Sequence, residues 1–238
     1  MYKKLFLIAI IFSTIVFVLS CEKDVTPSTT VPPPPPPPKS FTEEFDSVGN
    51  LSKAGWVIIN NSAPAGPSSW RQGLYESGSK LAWLTDFVGF PAYSAVYSPN
   101  EFASCDLSAG SGAATLSAWL ITRQMVVKNG DQLTFYSRSA GNFPDRMQVR
   151  ANYTTGAANV GNSAESVGDF TTMLLDINAG QTTTGYPAVW TKYTINITGL
   201  GSTVVNARFA FRYYVTNAGP GGANSDMIGV DQMQFTSK

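Results

Sequence analysis

Near the end of the chain Phe209, Phe211, Tyr213 and Val215 alternate with Ala210, Arg212 and Tyr214. Period-two alternation sends the two sets to opposite faces of an extended strand, whereas a helix needs a period of 3.6. The pattern recurs. Leu133 and Phe135 alternate with Thr134 and Tyr136, and Met147 and Val149 with Gln148 and Arg150. Further strands are expected at Phe41–Asp46, Trp56–Asn60, Lys80–Thr85, Ser94–Ser98, Leu116–Thr122, Met173–Ile177, Trp190–Ile197 and Ile228–Phe235. Turn residues divide them: Asn129-Gly130-Asp131, Ala140-Gly141-Asn142, Ala179-Gly180, Gly199-Leu200-Gly201 and the glycine-rich run from Asn217 to Gly222. No amphipathic helix competes after Phe41. About ten short strands in a domain spanning 41–238 point to an all-β fold, an antiparallel two-sheet jelly-roll sandwich.

Ahead of the domain the chain changes character. Lys3 and Lys4 precede an apolar run from Leu5 to Leu19, shorter than the roughly 20 residues that span a bilayer. Charge followed by an apolar run is the order of a secretory signal, here residues 1–20. Residues 21–40 form a tether containing seven consecutive prolines, Pro32 to Pro38. Without amide donors and with φ fixed, such a run is an extended polyproline II spacer of roughly 20 Å. The segment Val18-Leu19-Ser20-Cys21 resembles the lipobox of bacterial lipoproteins. That resemblance implies a lipid on Cys21, attachment to a membrane through it, and an outer-membrane, cell-surface location; a periplasm-facing anchor is the alternative. Glu22-Lys23-Asp24 is similar to the charged export signals of Bacteroidota surface lipoproteins. Asp46-Ser47-Val48 resembles their O-glycosylation site, with Ser47 as acceptor.

Composition removes several chemistries. The chain has no histidine, which excludes His-based triads, His general bases and His-ligated zinc. The only other cysteine, Cys105, has neither a histidine to activate it nor a free disulfide partner once Cys21 is lipidated. A formal net charge of zero points away from nucleic acid.

Three kinds of site stay open. The first is a pair of carboxylates for glycan hydrolysis, from Glu43, Glu44, Asp145, Asp169, Asp176, Asp226 and Asp231. The second is a structural Ca²⁺ ion. Jelly rolls bring first and last strands together, which would set Glu43, Glu44 or Asp46 near Asp231, and calcium takes six to eight oxygens. The third is a binding face. Tyr136 with Arg138, Gln148 with Arg150, and Arg208 with Arg212 each share one side of a strand. If those strands are neighbours, they present a surface suited to an anionic or neutral glycan. The competing reading puts these arginines in cross-strand ion pairs with Asp131, Asp145 or Asp226.

An ordered series of segments carries a family likeness. It runs from Gly55-Trp56 through Trp70-Arg71-Gln72-Gly73, Leu116 to Thr122, Asn129 to Arg138 and Pro144 to Arg150. It continues with Val167 to Phe170, Leu175 to Asn178, Tyr186-Pro187, Ala210 to Val215, Asn224 to Asp226 and Ile228 to Asp231. The series resembles the choice-of-anchor J domain, a relative of the cleaved-adhesin domains of Bacteroidota surface proteins. The resemblance implies a jelly roll on an exported protein, no catalytic residue set, structural calcium in the relatives, and attachment to host or matrix. The expectation is therefore a non-catalytic binding or adhesion module whose ligand is a glycan or a host protein. The alternatives are an accessory lipoprotein of polysaccharide capture and a carboxylate-dependent glycan hydrolase.

Overall fold

The computed structural model describes residues 39–75, 89–141 and 143–238. The expected signal peptide, Cys21, most of the tether and the expected strand Lys80–Thr85 lie outside the described residues. Among them, helix is confined to two short 3-10 turns, Val48–Ala54 and Leu107–Ala109. No helix there is long and apolar enough to cross a membrane.

Fourteen strands are present among the described residues. They are β1 (Phe41–Glu43), β2 (Val57–Asn60), β3 (Ala63–Ala65), β4 (Arg71–Gln72), β5 (Ala103–Asp106), β6 (Gly110–Thr115) and β7 (Ala118–Ile121). Then come β8 (Met125–Val127), β9 (Gln132–Ser139), β10 (Met147–Asn152), β11 (Thr172–Ile177), β12 (Thr191–Asn196), β13 (Val205–Tyr213) and β14 (Met227–Thr236). One sheet runs β12-β9-β14-β5-β4, with β1 also on β14; the other runs β11-β10-β13-β7-β2, with β8 also on β13. A two-stranded ribbon, β3-β6, stands apart. Every pairing is antiparallel. The expected two-sheet sandwich is what forms.

The alternating residues explain how the sheets hold together. Leu133 and Phe135 of β9 and Val230, Met233 and Phe235 of β14 meet Val149, Phe209, Phe211 and Tyr213 of the opposite sheet in one buried core. Rings bridge the layers: Phe135 and Phe211 stand edge to face at 5.0 Å, and Phe209 lies 6.2 Å from Phe235. Such pairs add about 0.5–1.5 kcal/mol to the burial of their area.

Both sheets are also covered outside. The 153–171 connection lays Val160 and Phe170 over Trp119, Ile121 and Ala210. The 89–102 connection lays Phe90 and Phe102 over Met227, with Trp190 packed alongside. Strands covered on both faces need not alternate, and β7 (Ala118–Ile121) is buried at every position. Gly229 makes the second covering feasible. A Cβ there would stand 2.8 Å from both Phe90 and Trp190, so only glycine lets the rings lie flat on β14.

One expected strand is absent. Ser94–Ser98 is irregular because carboxylates take its amides in place of a neighbouring strand. Asp231 accepts from Ser94, and Glu101 accepts from Val96 and Tyr97. Phe211→Ala should lower stability by about 3–5 kcal/mol, read by chemical denaturation. A Phe135→Ala/Phe211→Ala double mutant should lose less than the sum of the two single losses; full additivity would show that the rings do not couple the sheets.

Candidate ligand-binding groove

The outer face of the first sheet changes where β14 changes neighbours. Met227–Val230 pair with β5, whereas Met233–Phe235 pair with β1. Between them the register against β9 shifts, from Asp231 opposite Tyr136 to Gln234 opposite Thr134. Gln232 takes a left-handed φ of 42° at this bulge. A bulge adds a residue to one strand and re-aims its neighbours. Here Gln232 and Gln234 both reach a groove of about 300 Å³, lined also by Thr42, Glu44, Thr134, Tyr136 and Lys192.

The lining forms two rows across four strands. One is Thr42, Gln234 and Thr134, continued by Thr194 in the register. The second is Glu44, Gln232, Tyr136 and Lys192, with Tyr136 directly opposite Lys192. Tyr136 is built into a platform. Tyr93 stacks on it with centroids 3.5 Å apart and planes 15° from parallel, and the Lys192 Nζ lies 5.8 Å from its ring. A hydrogen bond with Tyr136 pushes the Tyr93 pKa up. The Glu44 Oε2 is buried and has no hydrogen-bond partner among the described residues.

Asp231 underlies the platform. Its Oδ2 accepts the amides of Tyr93 (2.8 Å) and Ser94 (3.0 Å), and its Oδ1 accepts that of Gln232 (2.7 Å). This one carboxylate fixes both the bulge and the loop that carries Tyr93. Burial still dominates its titration: it raises the pKa from 3.8 to about 7 against the opposing pull of the three amides.

The expected calcium ligands are only partly brought together. The first and last strands do pair, Phe41 opposite Phe235. Glu43, however, accepts the amide of Phe45, and its pKa is raised chiefly by burial. Asp46 is exposed, and Asp231 is ringed by N–H donors that face the place a cation would take. Among the described residues no three acidic, histidine or cysteine side chains converge as metal ligands. Glu43, Glu44, Asp46 and Asp231 thus do not gather as one set of carboxylate ligands among the described residues.

The expected six-residue face divides between two sheets. Tyr136 and Arg138 sit on β9, whereas Gln148, Arg150, Arg208 and Arg212 sit on β10 and β13 of the other sheet. Nor are the arginines displayed for a ligand. Arg212 is buried between the rings of Trp119 (4.7 Å) and Tyr214 (3.9 Å) and donates to Ser117, Gln148 and the Ala164 carbonyl. Burial pushes its pKa down to about 10. Arg150 donates to Gln148 and the Phe170 carbonyl, and Arg208 to the carbonyls of Gly156, Gly55 and Thr122. Arg138 lies over Phe90. The competing ion pairs do not form either. Among the described residues the pairs are Arg71–Asp106, Lys128–Asp131 and Arg146–Asp176. These arginines fasten covering loops to the sheets through carbonyl oxygens.

The carboxylate pairs read from sequence are placed as follows. Asp145 is fully buried; it accepts from the Tyr213 hydroxyl and the Asp226 amide. Burial and then the adjacent Asp226 raise its pKa well above the usual range. Asp176 is held by Arg146, and Asp169 by Thr155 and Asn159. The groove itself is lined by one carboxylate, Glu44. Hydrolysis by two carboxylates needs a pair facing one bond. A second cleft, about 380 Å³, is bounded by Pro67, Ser68, Arg71, Ser108 and Pro220; its single charge, Arg71, is already paired with Asp106. Thr42, Thr134, Lys192, Gln232 and Gln234 escape a sequence reading, because a bulge and a change of strand partner gather them.

The fold defines a class: an antiparallel two-sheet β-sandwich with a groove on the outer face of one sheet. No family model matches the chain, and no curated relative does. Among solved structures it is similar to the K2 cleaved adhesin domain of Lys-gingipain, with a TM-score of 0.51 and 20% identity, covering 84% of this chain and 100% of that one. It is similar to the K1 cleaved adhesin domain of Lys-gingipain from Porphyromonas gingivalis W83, with a TM-score of 0.50 and 20% identity, covering 84% and 99%. A carbohydrate-binding module, TmCBM61, solved with β-1,4-galactotriose, lies further off, with a TM-score of 0.40 and 8% identity, covering 82% and 99%. The likeness is one of fold.

The Asp231 carboxyl gives the site a pH signature. A folded-state pKa raised from 3.8 to about 7 means that the native protein binds more protons than the unfolded chain between those values. Its contribution is full below about 3.8 and is lost as pH rises through about 7. Unfolding measured across this range should show the stability advantage of wild type over Asp231→Asn shrinking as pH rises. A constant gap would show that Asp231 titrates at its ordinary value.

Proposed function

We propose that the protein is a non-catalytic, surface-anchored binding module of the choice-of-anchor J kind, and that the groove on its first sheet takes a glycan. The observation that carries this reading is the stacked Tyr93–Tyr136 platform beside a row of hydroxyl, amide and charged side chains. An aromatic face takes the apolar face of a sugar ring, and polar side chains take its hydroxyls. The cleaved-adhesin likeness agrees in fold with a binding role. Capture of polysaccharide for uptake is a specialised form of the same reading.

Glycan-array screening of the protein, followed by titration of the best ligand, tests it. Tyr136→Ala should weaken binding about tenfold or more, as for loss of a stacking aromatic. Unchanged affinity in Tyr136→Ala would remove the groove from the reading.

A second reading, contact with a host or matrix protein, is favoured by one observation. Val96 and Tyr97 are 69% and 88% exposed, on a loop that Glu101 holds through their own amides. An ordered, exposed tyrosine is a natural anchor for a protein interface.

Attachment through a lipid on Cys21, at an outer membrane, belongs to the same proposal. Cys21→Ala should move the protein from the membrane to the soluble fraction and abolish the lipid mass increment. A mutant that stays with the membrane would overturn the anchor.

A further inference from the structure

Resting on the glycan reading, we infer that the groove selects an uncharged oligosaccharide lying across the strands, with Glu44 and Lys192 as the residues that set this preference at its two ends. The order β1-β14-β9-β12 places Glu44, just past β1, and Lys192, on β12, at opposite margins of the groove. Three interstrand gaps of about 4.8 Å separate them, so their backbones stand about 14 Å apart. That spacing keeps the carboxylate and the ammonium from neutralising each other, and Lys192 belongs to none of the ion pairs among the described residues. Between them lie Gln232, Gln234, Thr134 and the face of Tyr136, a floor about as long as a di- to trisaccharide.

The chemistry at each end is different. The Glu44 side chain lines one end of the groove, and its Oε2 has no donor among the described residues, so its carboxylate is free to take a ligand's hydroxyl. A sugar hydroxyl donates there and gains a charge-assisted hydrogen bond. A uronate or sulfate has no proton to give there and meets the like charge of Glu44. Lys192 donates to a hydroxyl or ring oxygen at the far end but cannot compensate an anion placed against Glu44. The four arginines that would have favoured an acidic glycan are committed to carbonyls, glutamine or a ring. A hydroxyl both donates and accepts, so one neutral chain satisfies both ends.

The test is calorimetric titration of the intact protein in detergent with neutral trisaccharides (β-1,4-galactotriose, xylotriose, cellotriose) and with trigalacturonate. Wild type should bind at least one neutral trisaccharide more tightly than trigalacturonate, with affinity nearly independent of salt. Glu44→Gln, which keeps the side-chain shape, should weaken neutral binding roughly 10- to 100-fold, as for a lost hydrogen bond to a charged group, and should narrow the gap to trigalacturonate. Lys192→Met should weaken the same ligand without improving trigalacturonate. Thermal unfolding of both variants checks that the fold is kept. Preference for trigalacturonate, or neutral binding unaltered in a folded Glu44→Gln, overturns the inference while leaving glycan binding in place. Failure of every sugar, here and on the array, overturns both.

Discussion

The groove depends on the way β14 changes partners. A ten-residue strand cannot leave β5 for β1 on one edge, keep β9 on the other, and stay regular throughout. The mismatch is absorbed at Asp231 and Gln232. There the extra residue opens the outer face, and the freed amides need an acceptor. The Asp231 Oδ1 supplies it, and the Oδ2 of the same carboxylate pins the loop bearing Tyr93. Register shift, polar floor and aromatic platform are thus three results of one local accommodation.

A wider habit of the chain follows the same logic. Its covering loops have few regular partners, so their polar atoms are satisfied by single side chains that act as hubs. Asp231 and Glu101 gather amides on one side of the sandwich, whereas Arg208 and Arg212 gather carbonyls on the other. A buried charge is costly unless several oriented dipoles replace its hydration. That requirement explains why Arg212, the buried arginine among the described residues, is ringed by oxygen acceptors and aromatic faces.

The sequence shows the sandwich more clearly than the site. Alternation in β9, β10 and β13 reports their inner faces, because half of each strand meets the core. The expectation that a jelly roll brings its first and last strands together matches the pairing of β1 with β14. Ala103–Asp106 and Gly110–Thr115 carry small residues with no period, so nothing in their pattern announces a strand. Ser94–Ser98 misleads in the opposite direction: its amides go to carboxylates, Asp231 far along the chain and Glu101 a few residues on, and not to a neighbouring strand. Tyr136 is legible as outward-facing, but period-two reasoning cannot tell which sheet a strand joins. The arginines of β13 and the tyrosine of β9 therefore seem to share a face when read from sequence, and the sandwich sets them apart.

Thr42 and Glu44 open the domain, Tyr136 lies in its middle, and Gln232 and Gln234 come almost at its end. No fragment released partway through synthesis contains a groove, and no local hairpin approximates one. Contacts so distant in sequence form late and slowly. The groove comes into being only when the last strand slots between β1, β5 and β9, so its competence reports that the chain has finished folding.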